Sequence, residues 1–119
     1  MKNPYKAFWR LVSRCYRRPS ASDAHMLLAE RMTIVCSEAV PHEERFRAGW
    51  VVLRIIRDQC VAYEKVTGRQ IPHWQFSMYL TAVGVLVPSL RSSVICISGI
   101  HFPDEVAREF EAHFESLVK

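Results

Sequence analysis

Charge is almost absent from the stretch of the chain between Gln70 and Pro103. Arg91 is the only lysine, arginine, aspartate or glutamate in it. Such a stretch is buried in a core or crosses a membrane, because a large exposed apolar surface is unfavourable in water. The longest uncharged apolar run, from Phe76 to Leu90, is too short and too often interrupted for a span, which needs about 20 predominantly apolar residues. We therefore expect no transmembrane segment, and a largely buried stretch.

Two β-branched runs inside this stretch predict a hairpin. Val83–Val87 and Val94–Ile97 flank the segment Pro88–Ser93, which has the composition of a turn. Amphipathic patterns elsewhere predict helices. The expected fold class is α+β: a mostly helical single domain over residues 1–119, with four to five helices around a short antiparallel β-hairpin. The helices are expected at 4–18, 21–39, 42–66 and 72–82, with a last one starting at Pro103 or Asp104.

The helix expected at 42–66 has the widest apolar arc in the chain. An arc covering more than half of the helical wheel is typical of a central helix that touches several neighbours. Gly68 follows as a natural C-terminal breaker. The residues expected to be nearly fully buried are Phe46, Leu53, Ile56 and Cys60.

The first eighteen residues form a separate feature, with six positive charges and no negative one. In helical projection these cations occupy one arc, and aromatic and aliphatic side chains occupy the opposite arc. The first acid is Asp23, so no local carboxylate neutralises the cationic face. Such a face favours docking on an acidic macromolecular surface. Its expected contact residues, extended by two arginines of the helix 42–66, are Lys6, Arg10, Arg14, Arg17, Arg18, Arg47 and Arg54.

Three functions are compatible with these features. The favoured one is a non-catalytic binding protein, a small adaptor or inhibitor that docks through the basic helix face on an acidic macromolecular surface. The alternative is a nucleic-acid-binding regulator that uses the same basic face, with phosphate contacts and aromatic stacking. The third is a small enzyme with a dispersed site, in which Cys96 is paired with His101 or His73.

Cofactor and metal motifs are missing from the sequence. The four glycines are isolated, so no phosphate-binding loop is expected, and the histidines and cysteines lack metal-ligand spacing. The four cysteines lack a CxxC pair and lie among apolar neighbours, which predicts free, buried thiols in a reducing compartment such as the cytoplasm. Because the N-terminus is also rich in arginine and free of acids, a removable targeting segment over residues 1–22 remains an alternative.

Self-association is predicted from the polarity of the chain. Residues 104–119 are acidic, whereas the first eighteen are basic, so the two ends can meet within one molecule or between two. Ion pairs at a surface contribute only about 0–1 kcal/mol each, and a dimer therefore also needs an apolar patch. Leu27 and Ile34 lie in the polar arc of the helix 21–39. They are either core residues at a second contact or the interface of a homodimer.

The basic face generates the first testable prediction. We expect the triple variant Arg10→Glu, Arg14→Glu, Arg17→Glu to lose partner binding while its thermal unfolding stays close to wild type. Surface substitutions typically change stability by about 0.5 kcal/mol or less each. Capture of a partner from lysate, followed in parallel with circular dichroism, measures both effects. A variant that binds normally contradicts the docking role of this face.

Overall fold

A computed structural model describes residues 21–118, with side chains from residue 23 onward. Over this range the chain is helical and contains no strand. The predicted helix 4–18 lies outside the described residues. The α-helices are α1 (Ala21–Val35), α2 (His42–Thr67), α3 (Ser77–Leu86), α4 (Arg91–His101) and α5 (Asp104–Val118). One 3₁₀ turn, His73–Gln75, precedes α3, and another, Pro88–Leu90, joins α3 to α4.

The predicted β-hairpin is wrong, and with it the α+β fold class. Val83–Val87 forms the end of α3 and the residue after it, and Val94–Ile97 lies inside α4. Short apolar runs do not distinguish a buried strand from a buried helix. The proline of the supposed hairpin turn, Pro88, instead begins a 3₁₀ turn at a position that tolerates a missing N–H. Burial follows helical spacing in both segments: Leu80, Val83, Gly84 and Val87 in one, and Val94, Ser98 and His101 in the other.

The central position of α2 is confirmed. This helix contacts α1, α3 and α4, and its buried face runs along most of its length. Leu53, Ile56 and Cys60 are fully buried, as predicted. The prediction for Phe46 is wrong, because this side chain is 37% exposed. It lies one turn before Trp50, which is also exposed, and both sit at the edge of the apolar arc.

Both ends of α2 follow the sequence signals. The helix begins directly after Pro41, and two glutamates occupy its first turn, where the helix dipole favours negative charge. It ends at Gly68, whose φ of 68° places it in the left-handed region. There the Gly68 N–H donates to the Glu64 carbonyl at 2.8 Å, which is a common way to close a helix.

Two arginines satisfy backbone carbonyls at the end of α3. Arg45 donates from Nε to the Val35 carbonyl at 3.1 Å and from Nη2 to the Leu86 carbonyl at 3.3 Å. Arg91 donates from Nε to the Gly84 carbonyl at 2.8 Å. The last carbonyls of a helix have no partner within it, and positive charge is favourable at that end. Arg91, the only charged residue of the stretch 70–103, therefore binds a backbone carbonyl of the same stretch.

The helices α3 and α5 meet where α3 has no side chain. A Cβ placed on Gly84 would lie 2.1 Å from the nearest atom of the Phe114 ring. The ring is buried against the α3 backbone, and the Arg91 guanidinium carbon lies 5.6 Å from its centroid. Glycine at this position therefore permits the approach of α5.

Among residues 21–118, no helix combines the length and apolar character that crossing a bilayer requires.

We expect Gly84→Ala to lower the free energy of unfolding by about 1–3 kcal/mol, because the Phe114 ring must move to admit the methyl group. Gly99 in α4 is the matched control, since a Cβ there would meet only the Ala107 Cβ at 4.0 Å. Gly99→Ala should raise stability by up to about 1 kcal/mol through helix propensity. Urea unfolding measures both variants. A Gly84→Ala protein as stable as wild type would contradict the close packing of Phe114.

Candidate functional site

The predicted basic contacts fall into two groups. Lys6, Arg10, Arg14, Arg17 and Arg18 lie outside the described residues. The other two, Arg47 and Arg54, lie seven residues apart on α2 and so share one side of the helix. Arg47 donates from Nη2 to Glu43 Oε1 at 2.9 Å, one turn earlier. Arg54 lines a groove.

This groove runs between α2 and α4, and it is called the α2–α4 groove below. It has a volume of about 230 Å³. Leu53, which is fully buried, belongs to its lining, and Ile100 (63% exposed) and Trp50 (38% exposed) border it. Exposed side chains of this size next to a cavity are typical of a surface that receives a partner's side chain. The lining residues are Trp50, Leu53, Arg54 and Arg57 from α2, and Ser93, Cys96, Ile97 and Ile100 from α4.

The charges that line the α2–α4 groove are both positive. Arg54 and Arg57 project from consecutive turns of α2, beside the apolar wall. The nearby Asp58 lies 3.4 Å from Arg57, measured from Oδ1 to Nε. Burial raises the pKa of the Asp58 carboxyl from 3.8 to about 6. The carboxylate offsets part of the arginine charge at neutral pH, and this compensation disappears below about pH 6.

The burial of the cysteines differs in part from the prediction. The three described cysteines are free thiols, as predicted, but only Cys60 is buried, whereas Cys36 and Cys96 are exposed. Burial, reinforced by the nearby Glu64 carboxylate, raises the pKa of Cys60 to about 12. A thiol with this pKa remains protonated at neutral pH and is a weak nucleophile.

The predicted cysteine–histidine pair is not assembled around Cys96. Cys96 lines the α2–α4 groove, whereas the buried His101 lies with Nδ1 at 3.3 Å from Glu64 Oε1. His73 lines a different groove. The two histidines therefore have other neighbours than the Cys96 thiol.

A second groove, with a volume of about 270 Å³, brings two histidines to one place. His73 comes from the 3₁₀ turn before α3, and Glu109 and His113 are one turn apart on α5. The pair on α5 has helical i,i+4 spacing, which a sequence reading can find, but only the packing of α5 brings in His73. Among residues 21–118, no set of three or more histidine, cysteine or acidic side chains is arranged to hold a metal ion.

Leu27 and Ile34 were expected either in the core or at a dimer interface, and the structure places both against the core. Leu27 is buried, and Ile34 packs against the hydrophobic core of the same chain. The reason is that α1 contacts both α2 and α3, so apolar residues are needed on two sides of the helix. Their assignment to a dimer interface stays a prediction.

No protein-family model matches this chain, and the searches of curated proteins and of solved structures return no match either.

Asp58 generates a pH prediction. Between about pH 4 and 6 the folded protein keeps a proton on Asp58 that the unfolded chain releases, so this carboxyl lowers stability as the pH rises through that window. Above about pH 6 the loss of unfolding free energy is complete and no longer changes with pH. Asp58→Asn removes the titration. We expect the unfolding free energy of the variant minus that of wild type to increase from pH 4 to 6 and then level off, as measured by urea unfolding. A difference that is independent of pH would contradict the raised pKa.

Proposed function

We propose that this protein is a non-catalytic binding protein, a small adaptor or inhibitor, that docks on an acidic segment of a protein partner. The α2–α4 groove receives an apolar side chain of that segment. Arg54 and Arg57 pair with its carboxylates. Cations of the first eighteen residues, together with Arg47, extend the contact.

One observation carries this proposal: an apolar groove with exposed walls is bordered by positive charge. Tryptophan and arginine are enriched at the centres of protein interfaces. The exposed flank of Trp50 supplies contact area, while the two arginines favour a carboxylate-bearing partner and disfavour a basic one. Guanidinium groups also bind carboxylates with two parallel hydrogen bonds.

The apolar component favours a protein over a nucleic acid. Nucleic-acid binding depends mainly on phosphate contacts and weakens steeply with salt. The segment 72–82 contains no lysine or arginine, although a helix that reads DNA contacts bases and phosphates largely through such side chains.

Capture of a partner from source lysate tests the proposal, with and without nuclease treatment. We expect wild type to retain a protein after nuclease. The groove variants Ile100→Asp and Arg57→Glu should each reduce capture at least about tenfold, because one removes an apolar contact and the other reverses a paired charge.

Val66→Asp and Arg69→Glu are the matched controls, since both side chains are exposed and neither lines the groove. They should capture as wild type does, and circular dichroism should show all four variants folded. Loss of the captured material after nuclease would contradict a protein partner. Equal capture by the groove and control variants would contradict the role of the α2–α4 groove.

A further inference from the structure

The helix α3 is apolar on its outward side as well as on its buried side. Met78 is 82% exposed, and Val85 is exposed two turns later. A helix that is apolar all round is normally covered on every side. The outward residues follow the spacing i, i+3, i+4, i+7 and i+8, and they line a shallow groove along the helix. The groove is also lined by Ser77, and Leu86 in part packs against the core. The outer stripe of α3 consists of the other groove residues, including Leu86: Met78, Thr81, Ala82, Val85 and Leu86.

The outer stripe contains no charged side chain, and neither does the sequence on either side of it from Gln70 to Leu90. The chain as a whole carries a net charge of +4, which opposes the association of two copies through surfaces of like charge. Contact through the stripe itself brings no charged side chain to its centre, although Glu109 lines the adjoining His73 groove together with Thr81. The stripe is therefore suited to a second copy of the same chain.

The stripe is also complementary to itself. Its centre falls between Thr81 and Ala82, which are small, and larger side chains lie at its two ends. When two copies of α3 pack antiparallel around a two-fold axis at this centre, Met78 of one copy faces Val85 and Leu86 of the other. The small central residues permit a close helix approach. A two-fold contact requires this kind of self-complementary surface.

We propose that the protein forms a homodimer through the outer stripe of α3, with the two α3 helices antiparallel. The stripe shares no residue with the α2–α4 groove, so this inference does not depend on the proposed function. In the dimer both grooves remain available. Two grooves on one particle raise the apparent affinity for a partner with repeated acidic segments.

Sedimentation equilibrium of the full-length protein across the micromolar range tests this dimer. Wild type should change from monomer to dimer as its concentration rises. Met78→Glu should weaken the dimer at least about tenfold, because it buries an unpaired carboxylate. Met26→Glu is the matched control, since Met26 is 66% exposed on α1, and its dimer should equal that of wild type.

A cross-link tests the arrangement. Ala82 lies beside the proposed two-fold axis, so Ala82→Cys should form an intermolecular disulfide under mild oxidation. The yield of cross-linked dimer should exceed that of wild type, whose Cys36 and Cys96 are also exposed. Met26→Cys should give no such excess. A dimer that is sensitive to Met78→Glu but gives no excess cross-link at Ala82→Cys would overturn the antiparallel packing.

Other occupants of the stripe give different results. A protein that stays monomeric at all concentrations overturns the proposal. Protection of Met78 from peroxide oxidation in that monomer, relative to Met26, would assign the stripe to residues 1–20 of the same chain. A dimer that Met78→Glu and Met26→Glu leave equally strong would place the interface elsewhere.

Discussion

The fold depends on how the carbonyl groups at the end of α3 obtain hydrogen-bond partners. This short helix has no charged residue and no capping side chain of its own, and its C-terminal carbonyls must be paired, because an unpaired buried carbonyl costs about 1–3 kcal/mol. Arg45 and Arg91 supply the donors. Since Arg45 also bonds the last carbonyl of α1, one guanidinium fixes the ends of two helices against the start of α2.

The same constraint bears on the outer stripe of α3, the surface on which the dimer proposal rests. Arg91 is the only charge between Gln70 and Pro103, and its guanidinium bonds the α3 backbone and lies over the Phe114 ring. The outer stripe of α3 therefore has no cation of its own. Arg54 and Arg57 lie at the α2–α4 groove instead. One face of the molecule thus combines apolar and cationic groups, and another is apolar alone.

Sequence reasoning found one binding residue of the α2–α4 groove, Arg54, and missed Trp50 and Arg57 on the same helix. Arg54 was predicted as a binding residue because its position on an amphipathic helix depends only on helical periodicity. Ile100 was missed, since a groove wall depends on how α4 packs against α2. Phe46 was assigned to the core in error, because a wide apolar arc does not show where its edge meets solvent. In the second groove, Glu109 and His113 are four residues apart on one helix, so their proximity can be found from the sequence. His73 reaches the same groove only through tertiary packing.

The sequence alone determined the boundaries of α2, its central position and its buried residues Leu53, Ile56 and Cys60, because a proline, a glycine and a sustained helical period act locally. It also determined that the stretch 70–103 contributes to the core. Tertiary packing decided that this stretch is helical. Val83–Val87 and Val94–Ile97 have the β-branched composition of strands. The arginine–carbonyl bonds and the contact of Phe114 with Gly84 stabilise the first segment as a helix, and the second is buried at helical spacing through Val94, Ser98 and His101. The contacts of Arg45 with Leu86 and of Phe114 with Gly84 join residues far apart in the chain, and local propensity does not include them.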